Sequence, residues 1–201
     1  MAYPIDKKLV VGISSNALFD LEKEDKIFEE KGLEAYRKYQ VKNKLNFLET
    51  GVAYPFIKRF LKINEVYSEE RPVEVVLLSR NSPETGIRIF NSIKHYELDI
   101  TRAAFMSGGT AVKYIPAFNI SLFLAKKEED VKEAINSGLP AGRILEAKVE
   151  DDKTDELRVA FEFYGVIAYY EAEKIYKEKG LEEYHKYEGK HSAESLKAGP
   201  L

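Results

Sequence analysis

The chain has 201 residues, 44% of them hydrophobic, and 31 Lys and Arg against 34 Asp and Glu leave a formal net charge of -3. Charge this balanced and interspersed excludes the basic footprint of a nucleic-acid binder and a polybasic membrane anchor. The absence of cysteine excludes disulfides, thiolate metal sites and cysteine nucleophiles; with no apolar leader at the start and no run near the roughly 18 residues of a membrane span, a cytoplasmic location is expected.

Along the chain, short runs rich in Val, Ile and Leu alternate with longer amphipathic segments, which predicts an α/β domain on a mainly parallel sheet. The first strand is expected at Leu9–Ile13. A helical insertion at about 21–66 follows, with helices near Glu22–Gln40 and Val52–Ile63. It is too long for a simple crossover and reads as a cap over the C-terminal strand edge, where open α/β sheets bind ligands. Further strands are expected at Val73–Leu78, Arg102–Met106, Ile120–Leu124 and Arg143–Leu145, their near-continuous apolarity suiting strands covered on both faces. Ser82-Pro83-Glu84 opens a helix with a capping hydroxyl, a proline at the first helical position and an early acid; Glu128–Asn136 forms another, ended by Gly138 with Pro140 beyond. The acidic stretch Glu150–Glu156, EDDKTDE, reads as a linker between a module at 1–149 and a segment at 150–201 that opens on a strand expected at Leu157–Phe163. The three histidines, His95, His185 and His191, have no spacing that would make them metal ligands and are expected on the surface.

The segment after the linker repeats the start of the chain. Leu9-Val-Val aligns with Leu157-Arg-Val, KIFEEKGLEAYRKY (Lys26–Tyr39) with KIYKEKGLEEYHKY (Lys174–Tyr187), and Gly51 with Gly199, all at one offset without a gap. Residues 150–201 are therefore expected to be a linker and a truncated second copy of the module, holding its first strand and helix. A lone strand and helix cannot bury their apolar face, so this segment is expected to dock, with a homo-oligomer formed through residues 150–201.

Polar groups gather at the predicted strand ends: Ser14, Ser15 and Asn16 after the first strand, and Ser79, Arg80 and Asn81 after the second, beside the positive N-terminus of the next helix. Gly108 and Gly109 lie in a flexible loop followed by Lys113. Hydroxyls, amides and cations in this arrangement suit a phosphate group without a metal; the alternative is that they are ordinary turn and cap residues. Tyr36, Tyr39, Tyr184 and Tyr187 could stack nucleobases, but their helical spacing favours packing.

The segments SSNALFDLE, LLSRNSPETG and FNSIKHYELDITRAAF, in this order and followed by ELRVAFEFYGVIAYYEAEKIYKEKGLEEYHKYE, make the chain resemble the cytosolic 5'-nucleotidase family of the AMP/IMP type, in the haloacid-dehalogenase-like superfamily. The resemblance spans essentially the whole sequence. It implies a Rossmann-like, three-layer core and magnesium-assisted hydrolysis of nucleoside 5'-monophosphates in nucleotide metabolism. In that chemistry one aspartate attacks phosphorus and a second, two residues on, protonates the leaving group. The matching positions here hold Glu162 and Tyr164. Glutamate is one methylene too long, which displaces its carboxylate by about 1 Å and costs about a hundredfold in rate. Tyrosine, with a free pKa near ~10, cannot replace a carboxylate as base or as magnesium ligand. Tyr169 and Tyr170 follow where an acidic pair could sit, and Ala125-Lys126 stands where the first module's last acids would be. No metal ligand set is expected, and Mg2+, implied by the resemblance, is expected to be weak or lost.

The expected function is recognition of a nucleoside monophosphate or another small phosphate by a pseudoenzyme, with Glu162 and Tyr164 as degenerate nucleophile and acid/base positions. The alternatives are an active magnesium-dependent 5'-nucleotidase and a structural or regulatory protein that binds no nucleotide.

Overall fold

A computed structural model of the chain describes residues 5–146, 151–163, 165–169 and 171–199. Its elements begin with a 3-10 turn, Ile5–Lys7, and continue as β1 (Leu9–Ser14), α1 (Ser15–Leu18), α2 (Glu22–Lys42), α3 (Tyr54–Val66), β2 (Val73–Ser79), α4 (Pro83–His95) and β3 (Arg102–Phe105). There follow α5 (Tyr114–Ala117), β4 (Ile120–Ala125), α6 (Glu128–Asn136), β5 (Ala141–Arg143), α7 (Glu171–Lys179) and α8 (Leu181–His191).

The five strands form one parallel sheet in the order β3-β2-β1-β4-β5. Side chains alternate across a strand, so β2 sends Val75 and Leu77 to one face and Val76 and Leu78 to the other. The first face packs on Ile57, Phe60 and Leu61 of α3 and Ile89 and Ile93 of α4. The second packs on Ile115 of α5 and Val131 and Ala134 of α6. All seven residues of β2 are buried, and each fully buried Val or Leu contributes about 1.5–3 kcal/mol. The one acid among them, Glu74, is matched by an ion pair with Arg102 on β3. This is a Rossmann-like core of the haloacid-dehalogenase type. The helical cap insertion, α2 and α3, lies between β1 and β2.

The chain divides into two compact units, one ending at Leu157 and the other beginning at Arg158. Glu150, at the start of the expected linker, lies outside the described residues. From Asp151 onward that stretch is tied to α3: Arg59 pairs with Asp151 and, at 2.8 Å, with Asp152, its Nε donates to the Thr154 carbonyl at 2.8 Å, and Lys62 pairs with Asp155.

Two strand expectations need correction. The last strand of the sheet is Ala141–Arg143, earlier than the expected Arg143–Leu145, because pairing with β4 starts at once after Pro140: the Phe123 amide donates to the Pro140 carbonyl at 3.0 Å, and the Ile144 amide to that of Ala125 at 2.9 Å. The second correction is larger. Leu157–Phe163 forms no strand, and Val159, Phe161 and Phe163 stay about half exposed. A strand exists only through its ladder, and among the described residues this segment has no ladder partner, whatever its apolarity.

The repeat nevertheless has a structural counterpart. In the first unit an antiparallel bridge joins Phe19 to Thr50, the Gly51 amide donates to the Leu18 carbonyl at 2.8 Å, and the Asp20 amide to that of Glu49 at 3.0 Å. In the second unit the bridge joins Ala168 to Ala198, Gly199 donates to Ile167 at 2.8 Å and Tyr169 to Lys197 at 2.8 Å. Ala168 and Ile167 stand one residue past the ungapped counterparts of Phe19 and Leu18, so the helical part keeps the sequence register and the approach to it shifts by one.

Candidate functional site

Parallel strands deliver their C-terminal ends to one edge of the sheet, and the polar residues predicted there come together. Ser14 ends β1 and donates its hydroxyl to Asn16 Oδ1 at 2.8 Å. The Ser15 and Ser79 hydroxyls, at the ends of β1 and β2, are bonded at 3.0 Å, and Ser79 Oγ also accepts from the Asn81 amide at 3.2 Å. This small network ties the two central strand ends into one platform. Ser14, Ser15, Asn16, Arg80 and Asn81 line a cavity of about 60 Å³, with Leu78, Met106, Ala111 and Phe123 as its apolar wall. Ser79 lies buried beneath it.

The cap closes over this edge. Tyr36 of α2, buried, donates its hydroxyl to Asn81 Oδ1 at 2.8 Å, fixing that amide's orientation. Leu21 and Asp25 also reach the cavity from the α2 end. Partial burial holds the Asp25 carboxyl above its ordinary pKa, against the pull of the Lys127 ammonium. The residue as a whole is exposed, so solvent moderates the effect. Lys127, between β4 and α6, completes the rim with Asp130, whose buried carboxylate is ion-paired with Arg80.

Asp25, Lys127 and Asp130 are the site residues that reasoning from the sequence missed, while Tyr36, expected to pack, also orients Asn81. Lys127 and Asp130 carried a faint signal, as polar residues just after an apolar strand. Asp25 carried none, because only the fold of the cap brings α2 to the strand ends.

Other predicted residues stand apart. The Ser107, Gly108 and Gly109 amides already donate to the carbonyls of Asn81 (3.1 Å), Arg80 (2.7 Å) and Met106 (2.9 Å), so this loop braces the end of β2 instead of offering free donors. Lys113 is exposed, sits over the Tyr114 ring at 5.3 Å and is not in the cavity lining. Glu162 is exposed in a stretch without regular structure, and Tyr164 lies outside the described residues.

A second cavity, of about 370 Å³, shares Asn16 with the first and is lined by Phe19, Thr50, Gly51, Val52, Ile144 and the ion pair of Lys126 with Glu146 at 2.8 Å. That bond raises the Lys126 pKa and lowers that of Glu146. The smaller cavity has room for about two waters or a compact anion. The larger falls within the range of ordinary small-molecule sites.

The donor set of the smaller cavity does not fit magnesium, which needs several oxygen ligands in octahedral array. Two cations, Arg80 and Lys127, line the same cavity, and one of its two acids, Asp130, is held by Arg80. Among the described residues no three His, Cys, Asp or Glu side chains converge as metal ligands would. No helix among them is long and apolar enough to cross a membrane.

Comparison with known proteins decides the family. The sequence model of the 5'-nucleotidase family matches residues 1–201. The chain belongs to the 5'-nucleotidase family. Human cytosolic 5'-nucleotidase 1B is 32% identical over 199 residues, a match covering 96% of this chain and 33% of the human protein. This 5'-nucleotidase-family chain thus spans about a third of the length of that curated relative.

Proposed function

We propose that this 5'-nucleotidase-family protein binds nucleoside 5'-monophosphates at the C-terminal strand edge of its first unit and hydrolyses them slowly or not at all. The observation that carries the reading is the convergence of Ser14, Asn16, Arg80, Asn81 and Lys127 on a cavity of anion size that shares Asn16 with one large enough for a nucleoside. In this reading Lys127 and the Ser14 hydroxyl hold phosphoryl oxygens, Arg80 turns partly from Asp130 toward the ligand, and the sugar and base occupy the larger cavity. A cytoplasmic setting fits the name of the human relative.

Weak or absent hydrolysis follows from what these groups lack. The serine hydroxyls are bonded to Asn16 and Ser79 and have no carboxylate or imidazole partner as base, and an in-line attack needs one. At the family's aspartate positions Glu162 is misplaced by its extra methylene and Tyr164 supplies no carboxylate. Magnesium-dependent turnover, the competing reading, requires a ligand set that the residues of this cavity do not supply.

Thermal shift with AMP, IMP and inorganic phosphate, with and without magnesium, tests binding, and phosphate release tests turnover. Ligand at ten times its dissociation constant is expected to stabilise the chain by about 1.4 kcal/mol, with or without magnesium. No stabilisation by any of the three ligands overturns the binding claim; magnesium-dependent turnover near ~1 per second overturns the claim of impairment.

A further inference from the structure

In the first unit, one face of the α2 hairpin and of the segment returning to Thr50 is covered by α4. Arg88 donates through Nη1 to Glu24 at 2.5 Å and to Gln40 at 3.3 Å, and through Nε to the Asn46 carbonyl at 2.6 Å. One turn on, Ser92 Oγ accepts from the Leu48 amide at 2.9 Å. Tyr96 donates to the Leu48 carbonyl at 2.9 Å, and His95 stacks on Phe47 with ring centroids 3.9 Å apart. Under this cover Leu48 is 2% exposed.

Among the described residues, the second unit rebuilds this face with no helix in the place of α4. Gly180 repeats the kink of Gly32, and the bridge and return bonds recur as described above. Even a side-chain bond recurs: Asn43 Nδ2 meets the Tyr39 carbonyl at 2.8 Å, and its counterpart His191 meets the Tyr187 carbonyl through Nδ1 at 2.8 Å. The counterpart of Leu48, however, is Leu196, at 51% exposure. Where α4 lies in the first unit, the second has a cavity of about 320 Å³ lined by Tyr169, Ala172, Tyr187, Glu188, His191 and Leu196.

The charge on this face says what would cover it. Glu24, which receives Arg88, is replaced by Ala172, while Gln40, the other side-chain acceptor for Arg88, is replaced by Glu188. Asn46, whose carbonyl receives Arg88 Nε, is replaced by Glu194, so two carboxylates, Glu188 and Glu194, line the cavity around the arginine position. Glu188 has no ion-pair partner among the described residues.

We infer that this face of the second unit is a docking site for an amphipathic helix of the α4 kind. Its arginine sits against Glu188, a hydroxyl one turn later meets the Leu196 amide as Ser92 meets Leu48, and its apolar stripe covers Tyr169 and Leu196. The occupant is a basic, arginine-bearing helix, as distinct from an acidic peptide, a strand or a lipid surface.

The test is fluorescence anisotropy of a labelled, end-capped peptide of residues 82–97, the α4 sequence, titrated with the full chain. Saturable one-to-one binding is expected. Glu188→Lys in the chain, or Arg88→Glu in the peptide, is expected to weaken it about tenfold or more, and the two changes together are expected to restore it. No binding up to about 1 mM overturns the proposal, as does binding indifferent to both substitutions. If sedimentation shows a self-associating chain that Glu188→Lys dissociates and the peptide cannot compete, the occupant is a second copy and the proposal is wrong.

Discussion

Gly32 and Gly180 occupy matching places in the two helical hairpins and share one backbone conformation, φ 76° and ψ 179° in the first unit and φ 85° and ψ 179° in the second. This region is open almost only to glycine. An added Cβ meets nothing within 4 Å at either position, so the cost of a side chain comes from the backbone alone. Gly32→Ala is expected to lower the stability of the first unit by about 1–3 kcal/mol, and Gly180→Ala to act on the second unit by a similar amount. Chemical denaturation followed by hydrogen exchange separates the two. Equal stability of both variants and the parent would show that the kink is not required.

The pair between Arg88 and Glu24 is buried on both sides and fastens the cap to α4. Removing one partner leaves a charge in a dry site, so Arg88→Met is expected to cost about 3–5 kcal/mol. Adding Glu24→Met to that variant is expected to recover much of the loss, since no buried charge is then left alone. Urea titration of the two variants and the parent measures both steps.

At the strand edge, Lys127 and Arg80 are not equivalent. Arg80 is engaged by Asp130, whereas Lys127 has no ion pair among the described residues. Lys127→Ala is expected to weaken phosphate or sulfate binding by about 1.5–3 kcal/mol. Arg80→Ala is expected to lower stability as well as binding, because it strands the buried Asp130 carboxylate. Isothermal titration combined with a melting curve distinguishes the two patterns.

The raised pKa of Asp25 sets a pH dependence. In the folded chain this carboxyl takes up a proton at higher pH than in the unfolded chain, where its value is 3.8. Its charged form therefore costs stability above the raised pKa, and that cost is relieved as pH falls through it toward 3.8. Asp25→Asn is expected to be as stable as the parent or more so at neutral pH, and to flatten this part of the profile. Sulfate, whose charge is constant in this range, should bind the parent more tightly as Asp25 is protonated and a like charge leaves the cavity. A sulfate affinity that follows the same pH profile in the asparagine variant would rule Asp25 out.

Sequence by itself determined the layers. The apolar runs at Val73–Leu78 and Ile120–Leu124 are near-continuous, as suits strands covered on both faces, fully so for the first and except at Ser121 and Leu122 for the second, and the long gap between Leu9–Ile13 and Val73 could only be an insertion. It also marked Ser14, Asn16, Arg80 and Asn81, since a parallel sheet sends the residue after each strand to the same edge. Tertiary structure decided three other matters. Burial cannot be read from composition alone: Leu48 and Leu196 hold the same place in the repeat, yet one is covered and the other open, because α4 lies on the first. A strand depends on a partner for its backbone bonds, so the apolar Leu157–Phe163 run is not a strand. The charge of a site is collective: Asp130 claims Arg80, and the cap delivers Asp25 and Tyr36 from a helix far away in sequence, linkages that exist only once α2 has folded over the strand ends.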